Sequence, residues 1–187
     1  MMRMFVAIPV PDNVKQHARM YRNELGVSRA DIKWVDYQNY HLTLKFLGEV
    51  NEADLPGIKQ NLMQAADSCP SFNLSVGGLG FFPSQMRPRV IWLGLRGEVE
   101  KAEFLGERVD AYLVSLGFEE EKEHRFHLTL GRFRTDSKIN EMLKIAEHMP
   151  GKGKISSFKV DHFQLMQSIL GPGGPTYSVL ETFNLKG

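Results

Sequence analysis

Hydrophobic and polar residues follow two periods along this chain, one of two residues and one of three to four. Segments with one period alternate with segments with the other. Runs of period two that are rich in β-branched and aromatic residues predict strands, and apolar residues spaced by three or four predict amphipathic helices. The predicted strands cover about residues 4–10, 40–47, 72–82, 89–95, 126–133, 155–166 and 177–183. The predicted helices cover about residues 11–25, 52–68, 98–116 and 136–149. This order predicts an α+β protein.

One tetrapeptide, His-Leu-Thr-Leu, occurs twice, at residues 41–44 and 127–130, which are 86 residues apart. The same offset relates two further pairs of segments: 71–74 with 157–160, and 5–8 with 91–94. One offset therefore relates both short motifs and the order of predicted elements, as in an internal repeat. We expect residues 1–187 to form a single domain of two related, pseudo-symmetric α+β lobes.

The repeated tetrapeptide places two kinds of side chain on opposite faces of a strand. Because side chains alternate along a strand, His41 and Thr43 share one face while the leucines pack behind them. The same argument applies to His127 and Thr129. If an approximate two-fold axis relates the lobes, two imidazoles and two hydroxyls face each other across a cleft.

Two histidines and two threonines suit a displacement at phosphorus. One imidazole can take a proton from the attacking water or hydroxyl, and the other can donate a proton to the departing oxygen. The hydroxyls can hydrogen-bond the non-bridging oxygens. A metal site is the alternative, since histidine is a common metal ligand. Each strand nevertheless offers a single histidine with no carboxylate on its face, so we expect neither a metal ion nor a cofactor.

Three neighbouring residues are candidate contacts to the substrate. Lys45 lies on the predicted face of His41 and either meets phosphate or is a solvated lysine at a strand end. Arg132 follows Gly131, whose flexibility would allow a bulge that turns the guanidinium into the cleft; strict alternation points it away. Phe46 either stacks on a base or packs in the core.

Composition and charge narrow the class of protein. The 42% hydrophobic and 24% charged residues are typical of a globular protein and exclude a disordered one. A net charge of +1 argues against binding long nucleic acids by bulk electrostatics and favours a small site with a few placed groups. The single Cys69 and the lack of a run of about 20 apolar residues predict a cytoplasmic protein without a membrane span. We expect a monomer.

The motifs resemble those of the two-histidine phosphoesterase superfamily, which is named for paired His-x-Thr-x motifs. Within it, the chain is most similar to the RNA 2′,3′-cyclic phosphodiesterases, also called the 2′-5′ RNA ligase family. The resemblance extends over nearly the whole chain. The matching segments are 3–8, 34–35, 39–49, 78–83, 88–92, 116–118 and 127–130. The chain departs from many members at Phe126, where proline is frequent, and at Gly131, where a bulkier residue is common.

The resemblance implies a fold of two lobes whose antiparallel sheets line a central cleft, with the helices outside. It also implies metal-independent hydrolysis of 2′,3′-cyclic phosphates, on RNA ends or nucleotides, to 2′-phosphates. By resemblance, His41 is the proton donor to the leaving 3′ oxygen and His127 is the base that activates water. Thr43, Thr129 and Arg132 correspond to residues that bind the phosphate.

Other functions stay open at this point. Reverse 2′-5′ ligation of RNA ends can accompany hydrolysis, and the substrate can instead be a small cyclic nucleotide or a 2′-5′ oligonucleotide. A binding module for RNA that has lost turnover is an alternative of another class. The intact histidine and threonine in both motifs argue against it, because binding alone does not require two titratable groups.

Overall fold

The computed structural model describes residues 1–187 and contains nine strands and four α-helices. The strands are β1 (Met2–Pro9), β2 (Ile32–Trp34), β3 (His41–Val50), β4 (Phe72–Phe82), β5 (Val90–Gly97), β6 (Leu128–Phe133), β7 (Ser156–Val160), β8 (His162–Gly171) and β9 (Gly174–Asn184). The helices are α1 (Asp12–Gly26), α2 (Leu55–Asp67), α3 (Val99–Leu113) and α4 (Ile139–His148). Short 3-10 turns occupy Tyr37–Asn39, Glu52–Asp54 and Val114–Leu116.

The strands form two antiparallel sheets, which confirms the predicted fold class. One sheet has the order β3-β1-β8-β9 and the other has the order β2-β6-β5-β4-β7. Three neighbouring strands of one sheet, β3-β1-β8, correspond to three of the other, β6-β5-β4. In each set the middle strand, β1 or β5, pairs with the strand that carries a tetrapeptide, β3 or β6. Asn73 in β4 pairs with Lys159 in β7, and these two residues are also related by the offset of 86. Antiparallel pairing of these two segments is the arrangement that the predicted two-fold repeat would produce.

Helix α1 shows why the helical periods were readable in the sequence. Val14, Ala18, Tyr21 and Leu25 are completely buried, and they are the four apolar positions that the 3.6-residue period picks out. The helix packs against α4 and β7, whereas α2 packs against α3 and β9. These helices therefore pack against strands of both sheets. No helix has both the length and the apolar character needed to cross a bilayer.

Three elements differ from the sequence expectations. The strand predicted at 155–166 is divided at Asp161, because β7 pairs with β4 in one sheet and β8 pairs with β1 in the other. Strand β2 was not predicted, since three residues are too few to show a period. The second helix begins only at Leu55, and Pro56 in its first turn is tolerated because that turn needs no backbone N–H donor.

The two sheets share one hydrophobic core. The leucines of both tetrapeptides belong to it: Leu42, Leu44, Leu128 and Leu130 are at most 3% exposed. Burying a leucine side chain contributes about 1.5–3 kcal/mol, so these four residues hold both strands firmly in place. The polar residues between them consequently project away from the core.

Candidate active site

Strand β3 presents His41 at its first residue, and two hydrogen bonds orient the imidazole. Nδ1 lies 2.7 Å from the Asn39 carbonyl oxygen, and Nε2 lies 3.0 Å from Thr43 Oγ1. A carbonyl only accepts hydrogen bonds, so Nδ1 carries a proton and donates it. Nε2 is therefore the nitrogen that can exchange a proton with a ligand, and it lies beside the threonine hydroxyl on the predicted shared face.

Aromatic rings enclose His41 on the cleft side. The Phe5 ring lies 5.0 Å from the imidazole centroid and the Tyr177 ring lies 5.3 Å from it, in an edge-on arrangement. Burial by these groups lowers the pKa of His41, and the hydrogen bond to the Asn39 carbonyl opposes that shift by favouring the imidazolium. The ligand-free imidazole is therefore mostly neutral at pH 7.

The second tetrapeptide places His127 immediately before β6, at the mouth of the same cleft. Its ring lies 5.8 Å from that of Trp92, the residue of β5 that pairs with Thr129. Partial desolvation lowers the pKa of His127, and the positive charge of Arg132 lowers it further. Both histidines thus favour the neutral form without a ligand, but only His127 has a neighbouring cation.

A β-bulge follows the threonine in both tetrapeptide strands. In β3 the pairing with β1 skips Leu44, and in β6 the pairing with β5 skips Leu130. Each bulge shifts the alternation by one residue, so Phe46 and Arg132 return to the side of the threonines. Both side chains line the cleft, and Phe46 is 71% exposed there. Of the two alternatives for Arg132, the structure has the bulge that turns its side chain toward the cleft.

The glycine in the second bulge is required by a close neighbour. A Cβ added to Gly131 would lie 2.8 Å from Cγ2 of Ile32 and 3.1 Å from Cε3 of Trp34 in strand β2. A residue bulkier than glycine, as is common at this position in the family, would collide with β2 here. This contact brings β2 alongside β6 and Arg132.

The placement predicted for Lys45 is wrong. The bulge at Leu44 moves Lys45 to the buried side of β3, where it is 4% exposed. Its Nζ donates to Asp110 Oδ1 at 2.6 Å and to the Glu119 carbonyl oxygen. Lys45 is thus part of a buried ion pair behind the cleft, and its ammonium group is not available to a phosphate.

All seven predicted site residues line one cavity of about 560 Å³, although the Lys45 ammonium is engaged in its ion pair with Asp110. Residues from both sheets line it, and those with a polar group or ring free to meet a ligand are His41, Thr43, Phe46, His127, Thr129 and Arg132. This volume is in the range of small-molecule sites and suits a nucleotide. Because imidazoles, hydroxyls and a guanidinium converge there, the arrangement can bind a phosphate group and transfer protons to and from it.

The remaining histidines do not complete a second site in the cleft. His17 is buried on α1 with Nδ1 2.9 Å from Ser156 Oγ, and His148 and His162 each lie next to a carboxylate at the surface. His124 lines the rim of the cleft and its Nε2 lies 2.9 Å from Asp110 Oδ2. No group of three or more histidine, cysteine, aspartate or glutamate side chains is arranged to hold a metal ion.

The paired motifs have their counterpart in a known family. A family model described as LigT-like phosphoesterase matches residues 8–92 and 95–177, which together cover most of the chain. The chain belongs to the LigT-like phosphoesterase family. Each matched range contains one of the two tetrapeptides.

Individual members of the family are similar over their whole length. The RNA 2′,3′-cyclic phosphodiesterase of Archaeoglobus fulgidus is 37% identical over 97% of this chain and 99% of its own. The protein of the same name from Thermotoga maritima is 34% identical over 100% of this chain and 97% of its own. A crystal structure of E. coli LigT with 3′-AMP has a TM-score of 0.80 and 25% identity, covering 100% and 99% of the two chains.

Sequence reasoning missed two residues of this LigT-like cleft. Tyr177 on β9 contacts both His41 and Phe5, but no pattern near residue 177 indicates that its ring lies beside them. Asn39, which accepts the hydrogen bond from His41, lies inside the segment 39–49 that carries the family resemblance. Its position two residues before the histidine was the available signal.

Proposed function

We propose that this protein hydrolyses the 2′,3′-cyclic phosphate at an RNA end to a 2′-phosphate, without a metal ion or cofactor. The observation that carries the proposal is the convergence of both His-x-Thr pairs, from two different sheets, on one cavity of nucleotide size. The names of the relatives from Archaeoglobus fulgidus and Thermotoga maritima support the substrate class. The complex of E. coli LigT with 3′-AMP supports binding of a nucleotide in this fold.

In the proposed reaction, a water oxygen forms a bond to phosphorus while the bond between phosphorus and the 3′ oxygen breaks. His127 takes a proton from the water, and Nε2 of His41 donates a proton to the departing 3′ oxygen. The products are a 2′-phosphate and a free 3′ hydroxyl. The histidines finish with exchanged protonation states, which proton exchange with solvent restores.

The surroundings of the two imidazoles support this division of roles. Arg132 disfavours the imidazolium at His127, which suits a base that must be neutral. At His41, burial lowers the pKa, but the Asn39 carbonyl opposes that shift and holds the other proton on Nδ1, so Nε2 carries the proton of the imidazolium that can pass to the leaving group. A bound phosphate dianion or diester adds negative charge and raises the pKa of a nearby imidazole, so the acid becomes protonated as substrate binds.

The other cleft residues have roles in binding. The Thr43 and Thr129 hydroxyls donate to the non-bridging oxygens, and the Arg132 guanidinium neutralises their charge. Phe46 is exposed beside Phe5, with 6.3 Å between the ring centroids, and presents a face on which a base can stack.

Activity is expected to survive exhaustive treatment with EDTA and to depend on pH as a bell. The acid limb reports protonation of the base and the alkaline limb reports loss of the acid's proton, as apparent values of the coupled pair. Because the pKa values of both histidines are lowered in the free protein, the optimum of kcat/KM should lie at or below about pH 6.5. The optimum of kcat should lie at higher pH because bound phosphate raises both values.

The measurement is a pair of pH–rate profiles, for kcat/KM and for kcat, with and without chelator. Loss of activity in EDTA and recovery with a divalent ion would contradict the mechanism. A kcat profile that stays flat across pH 5 to 8 would contradict it as well.

Thr43→Val and Thr129→Val are each expected to raise the activation barrier by about 1.5–3 kcal/mol, the contribution of a hydrogen bond to a charged group. Valine keeps the shape and the β-branched backbone preference of threonine and removes only the hydroxyl. The check is kcat/KM for a cyclic nucleotide, with Thr135→Val in the loop after β6 as the matched control. Unchanged kcat/KM in both cleft variants would show that the hydroxyls do not contact phosphate.

A panel of three substrates tests the proposed function against its alternatives. RNA that ends in a 2′,3′-cyclic phosphate, a cyclic mononucleotide and a 2′-5′-linked dinucleotide are compared at equal concentration. The proposal expects the highest kcat/KM for the RNA. Turnover of the 2′-5′ dinucleotide alone would assign a different phosphodiester, and binding of RNA without any turnover would assign a binding module. Ligation is assayed separately with 5′-hydroxyl RNA as the acceptor.

A further inference from the structure

A second cation stands beside Arg132 on the face that lines the cleft. Lys33 in β2 pairs directly with Arg132 in β6, and its neighbours Ile32 and Trp34 pair with Phe133 and Gly131. Directly paired residues of antiparallel strands project from the same face, with Cβ atoms about 5 Å apart. Lys33 therefore extends the face of Arg132 by one strand, and both side chains are exposed.

This pair of cations has no carboxylate partner. Like charges that lie directly opposite each other destabilise a sheet, so the arrangement is not explained by stability. Other arginines close by have counter-ions: Arg134 lies 3.9 Å from Asp31, and Arg89 lies 3.2 Å from Asp136. Neither Lys33 nor Arg132 takes part in an ion pair, which leaves two adjacent positive charges available to an anionic ligand.

Lys33 also lies where one end of the cleft meets the last hairpin. A Cβ added to Gly174, at the turn between β8 and β9, would lie 4.0 Å from Lys33 Nζ. The next residue, Pro175 in β9, lines the cleft. Its carbonyl oxygen accepts a hydrogen bond from Asn39 Nδ2 at 3.0 Å. The ammonium of one sheet thus lies against the last hairpin of the other, next to the hairpin residue that lines the cavity of both histidines.

We propose that Lys33, beside Arg132, binds the phosphodiester that joins the terminal nucleotide of the substrate to the preceding one. The inference rests on the proposed function and specifies its substrate class, an RNA strand end over a cyclic mononucleotide. The RNA strand end carries the negative charge of that phosphodiester, and the cyclic mononucleotide lacks it. With a net charge of only +1, the protein must distinguish them by placed cations, and Lys33 is the next cation along this face.

The test compares two dinucleotides that end in a 2′,3′-cyclic phosphate, one with an ordinary phosphodiester linkage and one with an uncharged methylphosphonate linkage. The wild-type protein should prefer the charged linkage in kcat/KM by about fivefold or more, as for one charge-assisted contact. Lys33→Gln should abolish this preference and Lys33→Arg should retain it. Lys144→Gln, which removes an exposed lysine on α4, is the matched control and should retain it too.

Salt dependence gives an independent measurement. The slope of log kcat/KM against log salt for the charged dinucleotide should fall by about 0.7 in Lys33→Gln, the value for one phosphate contact on a single strand. His41→Ala should instead lower turnover of both dinucleotides in parallel and leave the preference unchanged.

The outcomes separate the subsite from the proposed function. Equal kcat/KM for the two linkages in the wild-type protein, with turnover of both, overturns the subsite and leaves the function standing. An unchanged preference in Lys33→Gln overturns the assignment to Lys33. If no cyclic substrate is hydrolysed, the function fails, and calorimetric titration with the same two dinucleotides then decides the subsite. Equal affinities for the two dinucleotides would overturn the subsite. Weaker binding of the methylphosphonate by the wild-type protein, with no such difference in Lys33→Gln, would support it.

Discussion

Replacing either His41 or His127 by alanine is expected to lower kcat/KM for a cyclic phosphate by at least about 100-fold while the fold stays intact. Each proton transfer in a general acid–base step contributes roughly 10²- to 10⁴-fold. In the proposed mechanism the two histidines act in one displacement, so the double variant should lose much less than the product of the single losses. Neither side chain belongs to the core, and each projects into the cleft.

The measurement is steady-state kinetics on the purified single and double variants, with circular dichroism to establish that they are folded. His148→Ala is the matched control, because that imidazole is 83% exposed on α4, outside the cleft. Near wild-type turnover in either single variant would disprove the pairing. Losses that multiply in the double variant would show that the histidines act in separate steps.

Removing the carboxylate of Asp110 is expected to destabilise the protein by about 3–5 kcal/mol, the usual cost of breaking a buried ion pair from one side. Asp110 is 3% exposed and accepts hydrogen bonds from Lys45 Nζ and from the Glu121 backbone N–H, at 2.6 and 3.0 Å. His124 Nε2 lies 2.9 Å from Asp110 Oδ2. In Asp110→Ala the Lys45 ammonium would stay buried without its counter-charge.

The check is denaturant unfolding of Asp110→Ala and of the double variant Lys45→Met with Asp110→Leu. The double variant replaces both charges by apolar side chains of similar size, so it should lose far less stability than the single one. A loss below about 1 kcal/mol in Asp110→Ala would contradict the buried ion pair, since typical single substitutions already cost about that much. Lys101→Met, at an exposed ion pair on α3, is the control and should change stability little.

The same ion pair connects the two halves of the cleft. Lys45 lies in the strand of the first histidine, and Glu119 and Glu121 lie in the segment that leads to His127. Asp110 on α3 holds both parts. A variant that weakens this connection should therefore affect catalysis through the position of His127, in addition to its effect on unfolding.

Local periodicity determined the faces of the two tetrapeptide strands. Alternation along a strand places His41 and Thr43 on one side and their leucines on the other, and burial of Leu42 and Leu128 in the core follows from it. The 3.6-residue period likewise located the buried face of α1. The repeat of one tetrapeptide at a fixed offset was enough to predict that both histidines belong to one site.

Tertiary structure alone decided what lies beyond the threonines. A bulge depends on the register with a neighbouring strand, so the sequence could suggest one beside Gly131 but gave no sign of one at Leu44. That unseen bulge turned Lys45 away from the face of His41 and Thr43 and into contact with Asp110, 65 residues later in the chain. Tyr177 reaches His41, and Lys33 pairs with Arg132, through contacts between distant segments. Such contacts are set by sheet packing and leave no period in the sequence.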